Sequence, residues 1–296
     1  MFPRISDIFN YFFGTSVQWP VYTYNFFLVS ALAAAFFMVY LELKRKSKTG
    51  EIPKNSGSHT LYYAVLVLIF ALIGLKAAHL LDSPGQFRAD PWKAIMTLNG
   101  MSFYGGLIMG TLAVIIYSIH IKVPLPHAGD IAAPAICLGY AIGRMGCHLS
   151  GDGCWGVENI NPAPAWMSFL PDYFWSCRYP NNVSNVGILI PGCLQENCHA
   201  LPQSVYPTSL YESIIAMLLF ILIWSVRKWN WTPGYLFAIY LVFEGLARFF
   251  IEFIRINPKY TIAGVNLSQA QIISIFAILT GLFLFWLFKK LTIIGK

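Results

Sequence analysis

The sequence contains few charged residues. Asp, Glu, Lys and Arg make up 11% of its 296 residues, whereas soluble globular domains average about 25%. Hydrophobic residues make up 57%, and the mean hydropathy is +0.59. These values exclude a soluble protein of this length and indicate several membrane spans of about 20 apolar residues each.

Three further absences narrow the function classes. The net charge of +7 occurs without interleaved basic and aromatic residues, so nucleic acid is not an expected partner. The last apolar run, residues 268–288, has no lysine for a Schiff base, which argues against a seven-helix photoreceptor. A secondary transporter is the more serious alternative, because charged residues in membrane helices often mark ion pathways. Such transporters usually contain repeated halves, and this chain shows no internal repeat.

The apolar runs predict an all-α integral membrane protein with seven transmembrane helices. Residues 1–20 are expected to form a retained interfacial segment with amphipathic character. The spans fall at about residues 21–41, 60–81, 101–120, 129–149, 208–226, 233–255 and 268–288. This divides the chain into residues 1–149 with four spans, a polar insert at 150–205, and residues 206–296 with three spans.

The basic residues predict the orientation of these spans. Lys and Arg follow spans one, three, five and seven, which all end on the same side of the membrane. The positive-inside rule assigns that side to the cytoplasm. The N-terminus and the insert between spans four and five are therefore expected to be periplasmic, and the C-terminus cytoplasmic.

The cysteines of the insert fit an oxidising compartment. Cys154, Cys177, Cys193 and Cys198 are even in number and predict two disulfides. Four cysteines allow three disulfide connectivities, and the favoured one is Cys193–Cys198 with Cys154–Cys177. A metal site that uses Cys198 and His199 is the alternative, but the insert has no CxxC spacing. No metal and no cofactor are therefore expected.

The stretch from Gly139 to Gly156 is the first candidate for a binding site. It leaves an apolar run through Arg144 and then contains several glycines, among them Gly143, Gly151 and Gly156. Arginine offers forked donors to phosphate oxygens, and glycine lets backbone amides come close to an anion. The alternative is structural: Gly139 and Gly143 pack helices, and Arg144 extends to the membrane interface.

Span six carries the second candidate. Glu244, Arg248, Glu252 and Arg255 fall within a helical stripe of about 80°. Ionisable residues inside a membrane cost several kcal/mol unless they pair or meet water. We interpret Arg248 as a phosphate contact that Glu252 positions and balances. A purely structural ladder of ion pairs is the alternative.

Other polar groups are expected at the same external depth. They are Tyr24 at the start of span one, Tyr104 before two glycines in span three, Asp152, the segment Tyr206–Glu212, and Gln271 in span seven. Together they predict one site open to lipid and to the outside. Taken singly, each tyrosine is typical of an interfacial anchor.

Several of these motifs match one enzyme family. Gly143-Arg144-Met145-Gly146 with Gly151, Asp152 and Gly156 resembles the signature of prolipoprotein diacylglyceryl transferase. The other matching elements are Ser102–Gly106, Tyr206–Glu212, the run Arg248–Arg255, and Gln271. The resemblance covers almost the whole chain.

The resemblance implies an integral enzyme of the bacterial cytoplasmic (inner) membrane. Such an enzyme moves the diacylglyceryl group of phosphatidylglycerol to the lipobox cysteine thiol of a prolipoprotein signal peptide and releases glycerol phosphate. Its partners would be phosphatidylglycerol, these signal peptides and membrane lipids. By position, Arg144 and Arg248 would contact the headgroup, Asp152 and Glu252 would be the acidic groups, and Tyr24 the tyrosine of span one.

The chain departs from the family pattern at several positions. Tyr104 stands where a histidine is common, and a tyrosine with a pKa of about 10 is a poor base near neutral pH. His148 is therefore a candidate substitute. Cys147 replaces a frequent asparagine, Asp152 a glutamate, and Lys76 an arginine. An active enzyme is expected, and a catalytically inactive member of the same fold is the alternative.

Overall fold

The computed structural model describes residues 1–85, 90–96, 102–193, 196–262 and 264–294. Helices dominate this part of the chain. They are α1 (Ile5–Phe13), α2 (Thr23–Thr49), α3 (Thr60–Asp82), α4 (Pro91–Met96), α5 (Phe103–His120), α6 (Leu125–Ser150), α7 (Thr208–Val226), α8 (Tyr235–Ile251) and α9 (Gln269–Ile294). Two antiparallel hairpins are present: β1 (Ile188–Leu189) with β2 (His199–Ala200), and β3 (Lys259–Ile262) with β4 (Val265–Ser268).

Among the residues that the structure describes, four helical segments are long and apolar enough to cross a membrane. They are Thr23–Thr49, Ser56–Asp82, Thr208–Val226 and Gln269–Lys290. The prediction of a mostly helical membrane protein is thus confirmed, with several spans. Helices α5 and α8 are shorter, with 18 and 17 residues, and α6 has 26 residues with Pro134 inside it.

The described chain forms two compact units. The larger unit contains residues 1–35 and 133–296, and the smaller contains residues 36–132. In the smaller unit, a Cβ at Gly105 would lie 2.5 Å from the Cβ of Ala78, and one at Gly106 would lie 2.8 Å from Leu75 Cγ. The two glycines therefore let the backbone of α5 approach α3, and their role here is helix packing.

An ion pair between a buried lysine and an exposed glutamate closes the loop that follows α2 in the smaller unit. Lys46 Nζ lies 2.7 Å from Glu51 Oε2, and Lys46 is almost fully buried. Burial alone would raise the pKa of Glu51, but the hydrogen bonds from Lys46 and Thr49 lower it overall. The basic end of α2 is thus neutralised locally, and its loop is fixed.

The core of the larger unit lies among α6, α7 and α8. Its buried residues are Ala133, Cys137, Leu219, Ile223 and Leu236. Helix α8 also packs closely on α9, where a Cβ at Gly245 would lie 2.8 Å from Ile278 Cγ1. These contacts fix the polar ends of α6, α7 and α8 relative to one another.

The end of span six differs from the prediction. The apolar pattern extends it to residue 255, but α8 ends at Ile251 and a 3₁₀ turn follows at Glu252–Ile254. Arg255 is extended, with φ −96° and ψ 153°. Pro258 disfavours helical backbone at the residue before it. Hairpin β3–β4 begins directly after this proline, at Lys259, and is not among the elements predicted from the sequence.

The insert, residues 150–205, is a small folded layer with its own core. Trp155, Cys177, Tyr179, Leu201 and Val205 pack together there. Backbone bonds connect it to the helices: Gly156 N donates to Tyr206 O at 2.9 Å, and Val157 N donates to Ile254 O at 2.9 Å. The insert is therefore attached where the charged residues of α7 and α8 lie.

The disulfide predictions have different outcomes. Cys193 and Cys198 form a disulfide, which confirms that pair. The pair Cys154–Cys177 is wrong, because both residues are free thiols. Cys177 is buried in the core of the insert, where its Sγ accepts a hydrogen bond from Tyr179 N at 3.4 Å.

Candidate functional site

Glu212 is the centre of the charged cluster in the larger unit. It lies in the second turn of α7 and is only 4% exposed. Arg144 Nε lies 2.8 Å from its Oε2, Arg255 Nη1 donates to its Oε1 at 2.9 Å, and Arg248 Nη1 donates to the same oxygen. One carboxylate thus holds guanidinium groups from α6, α8 and the segment after the 3₁₀ turn.

A second carboxylate extends the cluster. Arg248 Nη2 lies 3.2 Å from Glu252 Oε2, in the i,i+4 geometry that the junction of α8 and its 3₁₀ turn preserves. Asn257 donates a hydrogen bond to Glu252 Oε1. Glu252 is 1% exposed, so its charge is balanced by Arg248 rather than by water.

The cluster holds three arginines and three carboxylates and leaves one buried donor open. Arg144, Arg248 and Arg255 pair with Glu212 and Glu252, and Glu244 lines the adjoining cavity with Glu212 and Arg248. Buried charges are costly unless they are paired and hydrogen-bonded. Within the described part of the chain, the buried Nε of Arg255 has no hydrogen-bond acceptor. This open donor suits an incoming anion.

Aromatic and apolar side chains surround these charges. The guanidinium carbon of Arg144 lies 5.1 Å from the centroid of the Tyr140 ring, which is a cation–π contact. A small cavity lies beside it, between α6, α7 and α8, lined by Tyr140, Glu212, Ile215, Ala216, Glu244, Ala247, Arg248 and Ile251. The charged cluster therefore borders a space of mixed polar and apolar character.

The glycines after Arg144 have different structural reasons. Gly151 has a left-handed φ of +67°, and a Cβ there would lie 2.8 Å from Asn182 Cβ. At Gly156 a Cβ would lie 2.8 Å from Thr208 Cγ2. Among the described residues, a Cβ at Gly143 would meet no atom within 4 Å. Gly151 and Gly156 thus shape and seat the loop, whereas packing does not require a glycine at position 143.

Asp152 lies in this loop between two thiols. Cys154 N donates to Asp152 Oδ1 at 3.2 Å, and Cys147, Asp152 and Cys154 bring their ligand atoms within 4.8 Å of one another. The hydrogen bond with the Cys147 thiol lowers the pKa of Cys154, an effect that outweighs burial, and the charge of Arg144 acts in the same direction. The three side chains can together hold a metal ion.

Tyr24 belongs to the same neighbourhood. It lies in the first turn of α2 and interacts electrostatically with Arg144, Cys147, Asp152 and Cys154. The structure therefore brings together Tyr24, Arg144, Asp152, Arg248 and Glu252 from the set of predicted site residues. These residues are far apart in sequence, which is the arrangement expected of a functional site.

Three predicted site residues have other surroundings. Tyr104 lies in the first turn of α5, in the smaller unit. His148 is buried, and its Nδ1 lies 3.1 Å from the hydroxyl of Tyr179. Gln271 Oε1 accepts from Ser268 N at 3.0 Å, and Gln271 N donates to Ser268 Oγ at 3.2 Å. These two reciprocal hydrogen bonds between Ser268 and Gln271 form a capping box at the start of α9.

The sequence does not predict the contacts of three residues at this site. Glu212 and Tyr140 are only members of the predicted segments Tyr206–Glu212 and Gly139–Gly156, and Cys154 is predicted as part of a disulfide. For Glu212 a signal was present, since it is an acidic residue near the start of an otherwise apolar span. A carboxylate in that position requires a cationic partner. The sequence does not show that one carboxylate serves three arginines.

Comparisons with known proteins show which family the chain resembles. The profile of the family described as "Prolipoprotein diacylglyceryl transferase" matches residues 11–287. Three similar proteins are all named phosphatidylglycerol–prolipoprotein diacylglyceryl transferase, and the name of the third ends in the number 2. The protein from Leptospira interrogans is 26% identical, over 95% of this chain and 93% of its own length. The protein from Corynebacterium glutamicum is 25% identical, over 92% of this chain and 80% of its own length. That from Clostridium perfringens is 26% identical, over 90% of each.

Proposed function

This chain belongs to the prolipoprotein diacylglyceryl transferase family, and from that membership we propose that it transfers the diacylglyceryl group of phosphatidylglycerol to a prolipoprotein. The acceptor is the thiol of the lipobox cysteine. A sulfur–carbon bond forms, the bond between that carbon and the phosphate oxygen breaks, and its electron pair leaves with glycerol phosphate. This is the first step of lipoprotein maturation.

The convergence of Arg144, Arg248 and Arg255 on Glu212 carries the proposal. The reaction develops negative charge on the departing phosphate, and preorganised cations placed where charge develops lower the barrier. Arg144 and Arg248 are assigned to the headgroup phosphate, with Arg255 as a further donor. Glu212 holds the three guanidinium groups together against their mutual repulsion while the site is free of lipid.

The remaining predicted residues keep their proposed roles. Tyr24 and the glycines 143, 151 and 156 contact or shape the headgroup site, and Asp152 and Glu252 act as its acidic groups. Gln271 is proposed to contact lipid in addition to capping α9. Tyr104 and His148 are the candidate groups for receiving the thiol proton. The burial of His148 against Tyr179 gives it a packing role as well.

The proposed setting is the bacterial cytoplasmic (inner) membrane, crossed seven times. Residues 1–149 provide the interfacial segment and four spans, residues 150–205 the periplasmic insert, and residues 206–296 three spans. The four apolar helices support a multi-pass protein, and the distribution of Lys and Arg supports a periplasmic N-terminus and a cytoplasmic C-terminus. Partners are phosphatidylglycerol, prolipoprotein signal peptides and other membrane lipids.

A direct assay tests the proposal. The purified protein in phosphatidylglycerol vesicles should add one diacylglyceryl unit to a lipobox peptide, detected as the mass of the peptide. Arg144→Ala and Arg248→Ala should each lower the transfer rate by about 100-fold or more, the effect typical of removing one preorganised donor. A secondary transporter would leave the mass of the peptide unchanged.

Arg4→Ala is the matched control. Arg4 pairs with Glu196 at 2.5 Å, and both side chains are substantially exposed, so the pair contributes little. This variant should transfer lipid at the rate of the unmodified protein. Full activity in both the Arg144 and the Arg248 variants would remove the proposed mechanism.

A further inference from the structure

The loop after Arg144 holds two thiols and a carboxylate close together. Cys147, Asp152 and Cys154 each offer one ligand atom, and these atoms lie within 4.8 Å of one another. We propose that these three residues bind one zinc ion whose open coordination position takes the thiol of the acceptor peptide. This inference rests on the proposed function, because it assigns the group that would activate the nucleophile of that reaction.

The donor set selects the metal. Thiolates favour zinc over the hard cations Mg²⁺ and Ca²⁺, and zinc accepts sulfur and carboxylate ligands together. A tetrahedral zinc ion with bonds of about 2.3 Å to sulfur holds two sulfurs about 3.8 Å apart. The ligand atoms of the three residues lie within 4.8 Å of one another, which is comparable with that separation. Three protein ligands with an open fourth position is the pattern of catalytic rather than structural zinc.

The backbone holds these ligands in place. Cys147 lies in the last turn of α6, and its carbonyl accepts a bond from Gly151 N at 3.0 Å. The left-handed φ of +67° at Gly151 then turns the chain so that Asp152 and Cys154 return toward Cys147. Thr208 Oγ1 donates to Cys154 O at 3.0 Å, which fixes the far end of the loop to α7.

The cluster is buried on one side and accessible on the other. Cys147 is 8% exposed, whereas Asp152 and Cys154 are half-buried. A buried thiolate needs a compensating charge, which a zinc ion supplies. The accessible side leaves room for a fourth ligand that arrives from outside, such as the cysteine of a peptide.

A bound zinc ion suits the chemistry of the reaction. A free cysteine thiol has a pKa of about 8.5, and the thiolate is the nucleophile. Coordination to zinc deprotonates a thiol outright, and the proton passes to one of the candidate acceptors, Tyr104 or His148, or to solvent water. The zinc-bound sulfur then attacks the lipid carbon, and the phosphate departs toward the arginines. No electrons are exchanged, so no oxidant or reductant is needed.

The position of the cluster links it to the anion site. Arg144 interacts electrostatically with Cys147 and Cys154 and is also ion-paired to Glu212. One arginine thus interacts both with the proposed site for the attacking sulfur and with the cluster proposed to bind the leaving phosphate. The nucleophile and the leaving group of the displacement would be bound next to the same residue.

Metal content gives a readout that does not depend on activity. The protein purified under reducing conditions and loaded with Zn²⁺ should retain about one ion per chain after gel filtration. Cys147→Ser and Cys154→Ser should lose that ion. Cys177→Ser is the matched control, because it removes another free thiol of the insert, and it should keep the ion. Thermal unfolding in detergent establishes that each variant is folded.

Cobalt substitution tests the open coordination position. The Co²⁺ form of the protein should show thiolate-to-cobalt charge-transfer absorption, and this absorption should increase when a lipobox peptide is added. The same peptide with Ser in place of its Cys should leave the absorption unchanged. An absorption spectrum that responds equally to both peptides would overturn the assignment of the open position.

The transfer assay separates this inference from the proposed function. Removal of zinc with a chelator should slow transfer by about 100-fold, in line with the loss of an activated nucleophile, and added Zn²⁺ should restore it. Full transfer by the zinc-free protein would overturn the inference while leaving the proposed function intact. Zinc-dependent thiol binding without any transfer would support the metal site and overturn the function. A reduced chain that retains no zinc, or in which Cys147 and Cys154 form a disulfide instead of binding zinc, would also overturn the inference.

Discussion

At the scale of single residues, Glu212 decides whether the arginine cluster is stable. Its carboxylate is the shared partner of Arg144, Arg248 and Arg255, and it is buried. Without it, three guanidinium groups would face one another in a medium of low dielectric constant, where like charges repel strongly. The residue therefore stabilises the fold as well as the proposed site.

We expect Glu212→Gln to destabilise the protein by about 3–5 kcal/mol, because it leaves buried charges uncompensated. Transfer to a lipobox peptide should fall as well, since Arg144 and Arg248 lose their common anchor. Unfolding by heat in detergent, followed by the mass assay, measures both effects. Glu196→Gln removes the exposed partner of Arg4 and should change neither quantity.

Part of this site could be predicted from the sequence and part could not. Arg144 and Arg248 stand out because a charge in an apolar run is costly. The pairing of Arg255 with Glu212 depends on the end of α8 at Ile251, which an apolar pattern does not reveal. The free thiol of Cys154 was assigned to a disulfide because counting cysteines gives no information on distance.

At the scale of helices, the glycines of α5 control its packing on α3. A Cβ at Gly105 would lie 2.5 Å from Ala78 Cβ, whereas one at Gly110, on the same helix, would lie 3.7 Å from Ala71 Cβ. The first distance is a clash and the second is an ordinary contact. A comparison of alanine substitutions at Gly105 and Gly110 therefore distinguishes the effect of helix packing on stability from the effect of helix propensity.

Gly105→Ala should lower the stability of the protein by about 1–3 kcal/mol, the typical cost of overpacking. Gly110→Ala should be neutral or slightly stabilising, because alanine favours helix over glycine by about 1 kcal/mol. Thermal unfolding of both variants in the same detergent compares them. Equal stability of the two would contradict the packing role of Gly105.

The helices themselves follow from the sequence because long apolar runs in a membrane protein have few alternatives to helix. The ends of the helices are less predictable from the sequence. Hairpin β3–β4 lies between two predicted spans. Its strands alternate polar and apolar residues over only four positions each, a short signal that is easily missed beside long apolar runs. The sequence predicts Gln271 as a lipid contact, whereas in the structure it forms a capping box with Ser268. The sequence alone does not separate these two roles, because both use the same polar atoms of the side chain.

At the scale of the whole molecule, the proposed topology makes a prediction about access. Ser168 is exposed in the insert, and Ser58 is exposed after α2. In intact cells without their outer membrane, a membrane-impermeant maleimide should label Ser168→Cys and should not label Ser58→Cys. Both variants should react after detergent lysis. Labelling of Ser58→Cys in intact cells would contradict the proposed orientation.

The backbone bridge between Gly156 and Arg255 has a mechanical consequence. Because Val157 N also bonds Ile254 O at 2.9 Å, the insert and the segment that carries Arg255 are joined by their main chains. An outward movement of that part of the insert would therefore also draw Arg255 away from Glu212. Such a movement would couple access for the proposed acceptor to release of the anion proposed to bind at the arginines.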